Sequence, residues 1–142
     1  MKRNLVCLAL LFFVSLLLSG CCSSCRYRRN HSFPLESIEW HLCRIAGENI
    51  EPSSDKFVIV LQDGTIHGKA FCNRIMGRYK LNGSELSFLD IASTRMLCLE
   101  DNGQEARFLE KLSQVTHFDI DYKNLMLLSS GAITMVFEGV QK

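Results

Sequence analysis

Charge imbalance is the first thing this chain lacks: 16 Lys and Arg stand against 15 Asp and Glu in 142 residues, a formal net charge of +1. A protein that tracks nucleic acid concentrates many uncompensated cations, so that class of partner is excluded for the chain as a whole. Also missing are a glycine-rich phosphate loop, a Gly-x-Ser-x-Gly elbow and a His-Glu-x-x-His helix. Their absence removes common signatures of nucleotide, serine-hydrolase and zinc-peptidase chemistry. No apolar stretch reaches the roughly 20 residues of a comfortable membrane helix; the uncharged run from Leu5 to Leu18 stops short of it. An apolar share of 47% suffices for one globular domain behind a leader.

The leader has a basic start, Lys2-Arg3, ahead of that apolar run, the layout of an export signal. It ends in Leu18-Ser19-Gly20-Cys21, which resembles the bacterial lipobox. The resemblance implies cleavage after Gly20 and diacylglyceryl attachment to Cys21, and two or more acyl chains give stable anchoring. Cys22, rather than Asp, in the second mature position resembles the pattern of outer-membrane delivery. The expectation is therefore a signal peptide over residues 1–20, a lipidated basic tether over 21–37 and a domain over 38–142, held at the periplasmic face of the outer membrane. Arg26, Arg28 and Arg29 surround Tyr27 in the tether; they either hug anionic head groups, at about 1 kcal/mol each, or form a solvated spacer.

Cys7 leaves with the leader and Cys21 is acylated, so Cys22, Cys25, Cys43, Cys72 and Cys98 enter an oxidising compartment as an odd set. A Cys72–Cys98 bond would close a loop of about 27 residues, worth roughly 3.5 kcal/mol in the chain-entropy model. Neither cysteine lies in a Cys-x-x-Cys unit, which favours a structural cross-link over a redox switch. Cys22 and Cys25 have that spacing but sit in the polar tether, where a tail disulfide or accident explains it. Cys43 is expected to be a buried free thiol.

The domain reads as short strands. In Glu39 to Ile45, Trp40 and Leu42 alternate with His41 and Cys43. The Asp63-Gly64 loop is a strong hairpin signal. It sets Phe57, Ile59 and Leu61 against Ala70, Gly68 and Ile66 on a core face, with Cys72 continuing inward and Phe71 and Asn73 pointing away. Gly68 marks a bend or a close backbone crossing. An Asn82-Gly83 loop sets Tyr79 opposite Leu86 and Leu81 opposite Ser84. Asn102 with Glu105 approximates a capping box for a helix over 104–114, with Phe108, Leu109, Leu112 and Val115 inward and Glu105, Arg107, Glu110 and Lys111 in water. A Lys123-Asn124 turn and a Ser129-Gly131 turn separate the last strands. The sum is a mainly β, β-rich α+β fold: a small antiparallel barrel of about eight strands with one helix packed against it, a two-layer α+β sheet being the alternative.

These residues jointly resemble the META/HslJ-like domain of bacterial envelope lipoproteins over Trp40 to Phe137. The match rests on Trp40-His41-Leu42 with Ile45 and Gly47, Gly68, Cys72-Asn73-Arg74, Gly77-Arg78-Tyr79, Thr94-Arg95-Met96-Leu97-Cys98 and the Glu105–Leu112 helix. Phe71 stands where the family pattern has glycine. The resemblance implies a lipocalin-like topology, no established catalytic activity and an association with envelope stress and antibiotic tolerance.

Candidate sites follow. Cys21 is the lipidation site, Cys72 and Cys98 the cross-link, and Trp40, Gly68, Asn73, Gly77, Tyr79 and Thr94 the structural motif; no catalytic residue, metal or cofactor is expected. A zinc site from Cys43, Cys72, Cys98 and a histidine lacks tight ligand spacing, and His41 and His67 read as exposed strand residues. Asp119 and Asp121 share an outward strand face and read as solvated. Asn73 locks the bend after Cys72, with ligand contact as the sharper alternative. Three functions fit: a non-enzymatic, monomeric envelope lipoprotein binding an envelope protein or component; an inhibitor whose loop plugs a hydrolase such as lysozyme; or an apolar-ligand carrier. An exposed rigid loop with one basic or aromatic residue would favour the second, an unfilled apolar interior the third.

Overall fold

Inward–outward alternation of β-branched and aromatic residues, interrupted by bulges, carries most of the described residues into one antiparallel sheet. The computed structural model describes residues 33–51 and 55–141. The leader, Cys21 and its lipobox, Cys22, Cys25 and the arginine cluster lie outside the described residues. In chain order the elements are β1 (Glu39–Ile45), β2 (Glu48–Asn49), β3 (Phe57–Gln62), β4 (Thr65–Ala70), β5 (Asn73–Asn82), β6 (Glu85–Ser93), α1 (Gln104–Ser113), β7 (His117–Asp121), β8 (Asn124–Ser129) and β9 (Ala132–Val140). Each strand from β3 onward pairs with the next, and β9 returns to β1, so the sheet closes; β2 is a two-residue extension beside β1. Closure removes the exposed edges that an open sheet would leave.

The β3–β4 register follows the Asp63-Gly64 loop, with Phe57 opposite Ala70 and Leu61 opposite Ile66. A Cβ on Gly68 would lie 2.0 Å from the Val58 carbonyl oxygen, so the close approach there admits only glycine. The β5–β6 loop is Gly83-Ser84, one residue later than the Asn82-Gly83 reading. Asn82 pairs with Glu85, Tyr79 with Phe88 and Leu81 with Leu86. Positive φ at Gly83 alone is the sign pattern of a type II′ turn, which wants glycine first. The shift of two preserves the faces, so Tyr79, Leu86 and Phe88 are buried as expected, while Leu81 overhangs the barrel and is exposed. The β7–β8 turn is likewise Tyr122-Lys123 rather than Lys123-Asn124, because Asp121 pairs with Asn124.

Two further alternation readings fail for local reasons. On β1 the register against β9 slips between Leu42 and Arg44, so Cys43 is the extra residue of a bulge and Ile45 returns to the core instead of sharing its face. At the end of β4, Phe71-Cys72 forms a two-residue turn with Ala70 opposite Asn73. The turn breaks the two-residue period, so Phe71 and Asn73 are buried and Cys72 is half-buried rather than a core residue.

The interior is filled by the protein itself. Trp40, Phe57, Phe108 and Phe137 are fully buried or nearly so, and the Phe108 ring centroid lies 5.0 Å from that of Phe57. α1 supplies Phe108 and Leu112 to this core, each worth about 1.5–3 kcal/mol of burial. It packs chiefly on β6, beside the seam where β6 and β7 share only the Glu85–His117 rung.

The barrel has two unlike ends. At the lower end, residues 33–38 lie across the opening. Phe33 N–H donates to the Tyr122 carbonyl and Ser37 N–H to that of Leu61, Leu35 and Ile38 are buried, and Trp40 Nε1 donates to the Leu35 carbonyl at 2.9 Å. The Asp63-Gly64, Gly83-Ser84 and Tyr122-Lys123 turns share that end. The Ala46-Gly47, Phe71-Cys72 and Ser130-Gly131 turns, the 94–101 connection and the start of α1 are at the upper end.

Candidate functional site

At the upper end the chain leaves β6 at Ser93 and runs to α1 without regular secondary structure. Two devices hold this strap. Cys72, in the β4–β5 turn, is disulfide-bonded to Cys98, with Cα atoms 6.1 Å apart. Beside it the Asn73 side chain, 3% exposed, treats Met96 as a neighbouring strand would: its Oδ1 accepts from Met96 N–H at 2.8 Å and its Nδ2 donates to the Met96 carbonyl at 3.3 Å. Thr94 completes the latch, since its hydroxyl donates to Asn73 Oδ1 at 2.7 Å and accepts from Arg74 N–H at 3.0 Å.

Asn73 Nδ2 also donates to Cys98 Sγ at 3.5 Å and, most closely, to Glu105 Oε2 at 2.6 Å, while Ser93 Oγ lies 2.7 Å from Glu105 Oε1. Glu105 therefore turns into the latch instead of facing water. It is not the back-bonding member of a capping box either. Gly103 is the N-cap residue, with no side-chain cap bond, and Asp101 Oδ1 accepts from Glu105 N–H at 2.8 Å. Sequence reasoning marked Cys72, Asn73, Thr94 and Cys98, and the structure brings all four together. It missed Glu105 and Ser93, because a carboxylate three residues after an Asn signals a cap whichever way its side chain turns.

What the latch presents is an exposed strap. Arg95 is exposed, Leu97 and Leu99 keep 89% and 92% of their surface in water, and Met96 keeps 57%. Next to it an open groove of about 880 Å³ runs along the outer face of β4 and β5, lined by His67, Lys69, Arg74, Met76 and Met96 among others.

The remaining motif residues serve the barrel. Trp40 fills the lower half of the core, and Gly77 lies where β6 bulges, a Cβ there reaching within 2.5 Å of Ile91 Cδ1. Tyr79 donates its hydroxyl to Glu36, tying the 33–38 segment to β5; burial, then that bond, holds its pKa above the ordinary value. Cys43 is free and half-buried rather than fully buried, and burial followed by the nearby Glu138 charge raises its pKa, which disfavours the thiolate. His41 is half-buried, not exposed, with Nδ1 3.7 Å from Asp55 Oδ1 and Nε2 3.9 Å from Glu39 Oε2. His67, Asp119 and Asp121 are on the surface, as their alternation requires. Among the described residues, no three His, Cys, Asp or Glu side chains are grouped to hold a metal ion, and no helix is long and apolar enough to cross a membrane.

A largely self-filled antiparallel barrel with a helix packed on β6 and a latched strap at one end defines a small scaffold, with a pocket of about 480 Å³ beside Leu42, Ile45 and Phe57. The chain belongs to the META domain family, whose profile matches residues 34–141. Solved structures share the fold. An NMR structure of a protein from Burkholderia xenovorans is 24% identical, with a TM-score of 0.63 over 87% of this chain and 99% of that one. A second NMR structure is 24% identical, with a TM-score of 0.58 over 72% and 89%. The crystal structure of a DUF4847 family protein from Bacteroides vulgatus is 18% identical, with a TM-score of 0.60 over 76% and 96%. A search of curated proteins finds no match.

Proposed function

We propose that this chain is a non-enzymatic envelope lipoprotein, anchored through Cys21, whose META domain supports envelope integrity under stress by binding a protein partner with its upper end. One observation carries this reading: four large apolar or basic side chains, Arg95, Met96, Leu97 and Leu99, stand in water on a backbone that a buried amide and a disulfide immobilise. Exposed apolar side chains on a pre-ordered segment lose little entropy on docking. The chain enters the domain at the opposite end, at Phe33, so an anchored domain can turn the strap away from the bilayer. A photo-crosslinking residue at Leu97 in intact envelopes should capture a discrete protein, while the same residue at Lys80, toward the lower end, should not. Equal capture at both positions, or none at Leu97, would remove the reading.

The strap also favours the inhibitor version of this function, because it is an exposed, rigid loop with one basic residue, Arg95. Inhibition of a lysozyme or another envelope hydrolase that is relieved by Arg95→Ala would assign it. The apolar-carrier reading is less favoured, since Trp40, Phe57, Phe108 and Phe137 fill the interior, and the pocket of about 480 Å³ beside Leu42, Ile45 and Phe57 also has Glu48, Lys56 and Arg107 on its wall.

A further inference from the structure

We propose that the groove along the outer face of β4 and β5 binds an extended acidic polypeptide segment, with a carboxylate at one position and an apolar side chain two residues on. This rests on the reading that the upper end binds a protein, and adds which chemistry it selects. Lys69 and Arg74 are directly opposite each other on the β4–β5 ladder, and like charges so placed oppose pairing. Among the described residues neither has a carboxylate within ion-pair distance, while Arg78, Arg107 and Lys123 are paired with Asp90, Glu48 and Glu138 and Arg44, Lys80 and Arg95 stand unpaired but not opposite another cation. The strand pair thus keeps two adjacent cations with no carboxylate beside them, and an external anion placed between them would relieve their mutual repulsion.

The next rung on the same face supplies the second half of the motif. His67 is opposite Met76, and Met76, 66% exposed, shares the groove with Met96. The distance from the cation rung to the methionine rung is the rise of two strand residues, about 6.6 Å. Side chains i and i+2 of an extended peptide have the same separation. A lipid surface is the less suitable occupant, because the groove opens beside the strap, at the end remote from the chain's entry at Phe33.

The full chain, extracted in mild detergent, can be titrated against a fluorescein-labelled peptide of repeating Glu-Ser-Leu-Ser and its Gln-Ser-Leu-Ser counterpart, with anisotropy as the readout. The acidic peptide should bind at least about tenfold more tightly, and added salt should erode the difference. In the Lys69→Gln/Arg74→Gln double variant the preference should vanish. Both positions are exposed and the change removes a like-charge pair, so thermal melting at or above the wild-type midpoint will verify the fold. Equal affinity for the two peptides, binding of neither, or an unchanged preference in the double variant would overturn the proposal. So would co-sedimentation with phosphatidylglycerol vesicles through Lys69 and Arg74 without peptide binding, which would assign the groove to lipid. A silent Leu97 crosslink alongside an intact peptide preference would sink the strap reading and spare the groove.

Discussion

The Asn73 amide donates to the Glu105 carboxylate across 2.6 Å, joining the first residue of β5 to the first turn of α1. Through the same amide the Met96 backbone is held as an extra strand residue would be. One buried side chain therefore sets the position of the helix, the strap and the β4–β5 turn together.

Asn73→Ala leaves Met96 N–H, the Thr94 hydroxyl and the Glu105 carboxylate without their shared partner. A loss of about 2–4 kcal/mol is expected from desolvated, unpaired groups. Asn73→Asp fills the space but sets a carboxylate against Glu105, and should be at least as destabilising at neutral pH. Urea unfolding of the two variants is the check; wild-type midpoints would refute the role of the latch.

Reduction of Cys72–Cys98, or Cys98→Ser, should cost roughly 3.5 kcal/mol by releasing a loop of about 27 residues in the unfolded chain. Both cysteines pack at the margin of the core rather than within it, so the barrel should persist, with faster amide exchange confined to the strap and the start of α1. Hydrogen exchange with and without reductant tests both halves of the expectation.

Phe71 holds φ at 58°, where a side chain is strained, yet it is 7% exposed, packs on Phe57 at 6.1 Å and carries the Lys56 ammonium 4.7 Å from its ring centroid. Burial offsets the strain. Phe71→Ala loses the burial and keeps the strain, about 3–4 kcal/mol. Phe71→Gly loses the burial but gains backbone freedom, and should be less destabilising than alanine by about 1 kcal/mol. Thermal melts that rank alanine above glycine would contradict this account.

Tyr79 contributes a pH dependence on the alkaline side. Its folded pKa is raised by burial and by the bond to Glu36, so the unfolded chain releases the phenolic proton first. The associated stability is complete below the ordinary tyrosine pKa of about 10 and declines as pH rises through the folded value. Denaturation midpoints measured across that range should fall, and Tyr79→Phe should flatten the slope. Tyrosinate absorbance in the native protein will report the late ionisation directly.

Much of this architecture was legible in the linear pattern. The Asp63-Gly64 dipeptide specified a register because two-residue loops leave one pairing, and the Phe108, Leu112 and Val115 spacing specified a helix face. Other turns were not legible. Phe71-Cys72 contains neither glycine nor asparagine, and the chain accepts positive φ at Phe71 only because the ring is then buried beside Phe57. The bulge at Cys43 is likewise silent in sequence, since an extra residue on one strand is defined by the partner strand.

The amino-acid order by itself determined a β-rich domain with one helix, a family membership and the marking of Cys72, Asn73, Thr94 and Cys98, because those depend on local periodicity and short motifs. Only the tertiary structure decided that Glu105 turns inward to Asn73, that Lys69 and Arg74 share a rung without a carboxylate, and that the strap lies at the end opposite Phe33. Each of these is a relation between strands or between a strand and the helix, set by barrel closure and desolvation, and no local spacing along the chain encodes it.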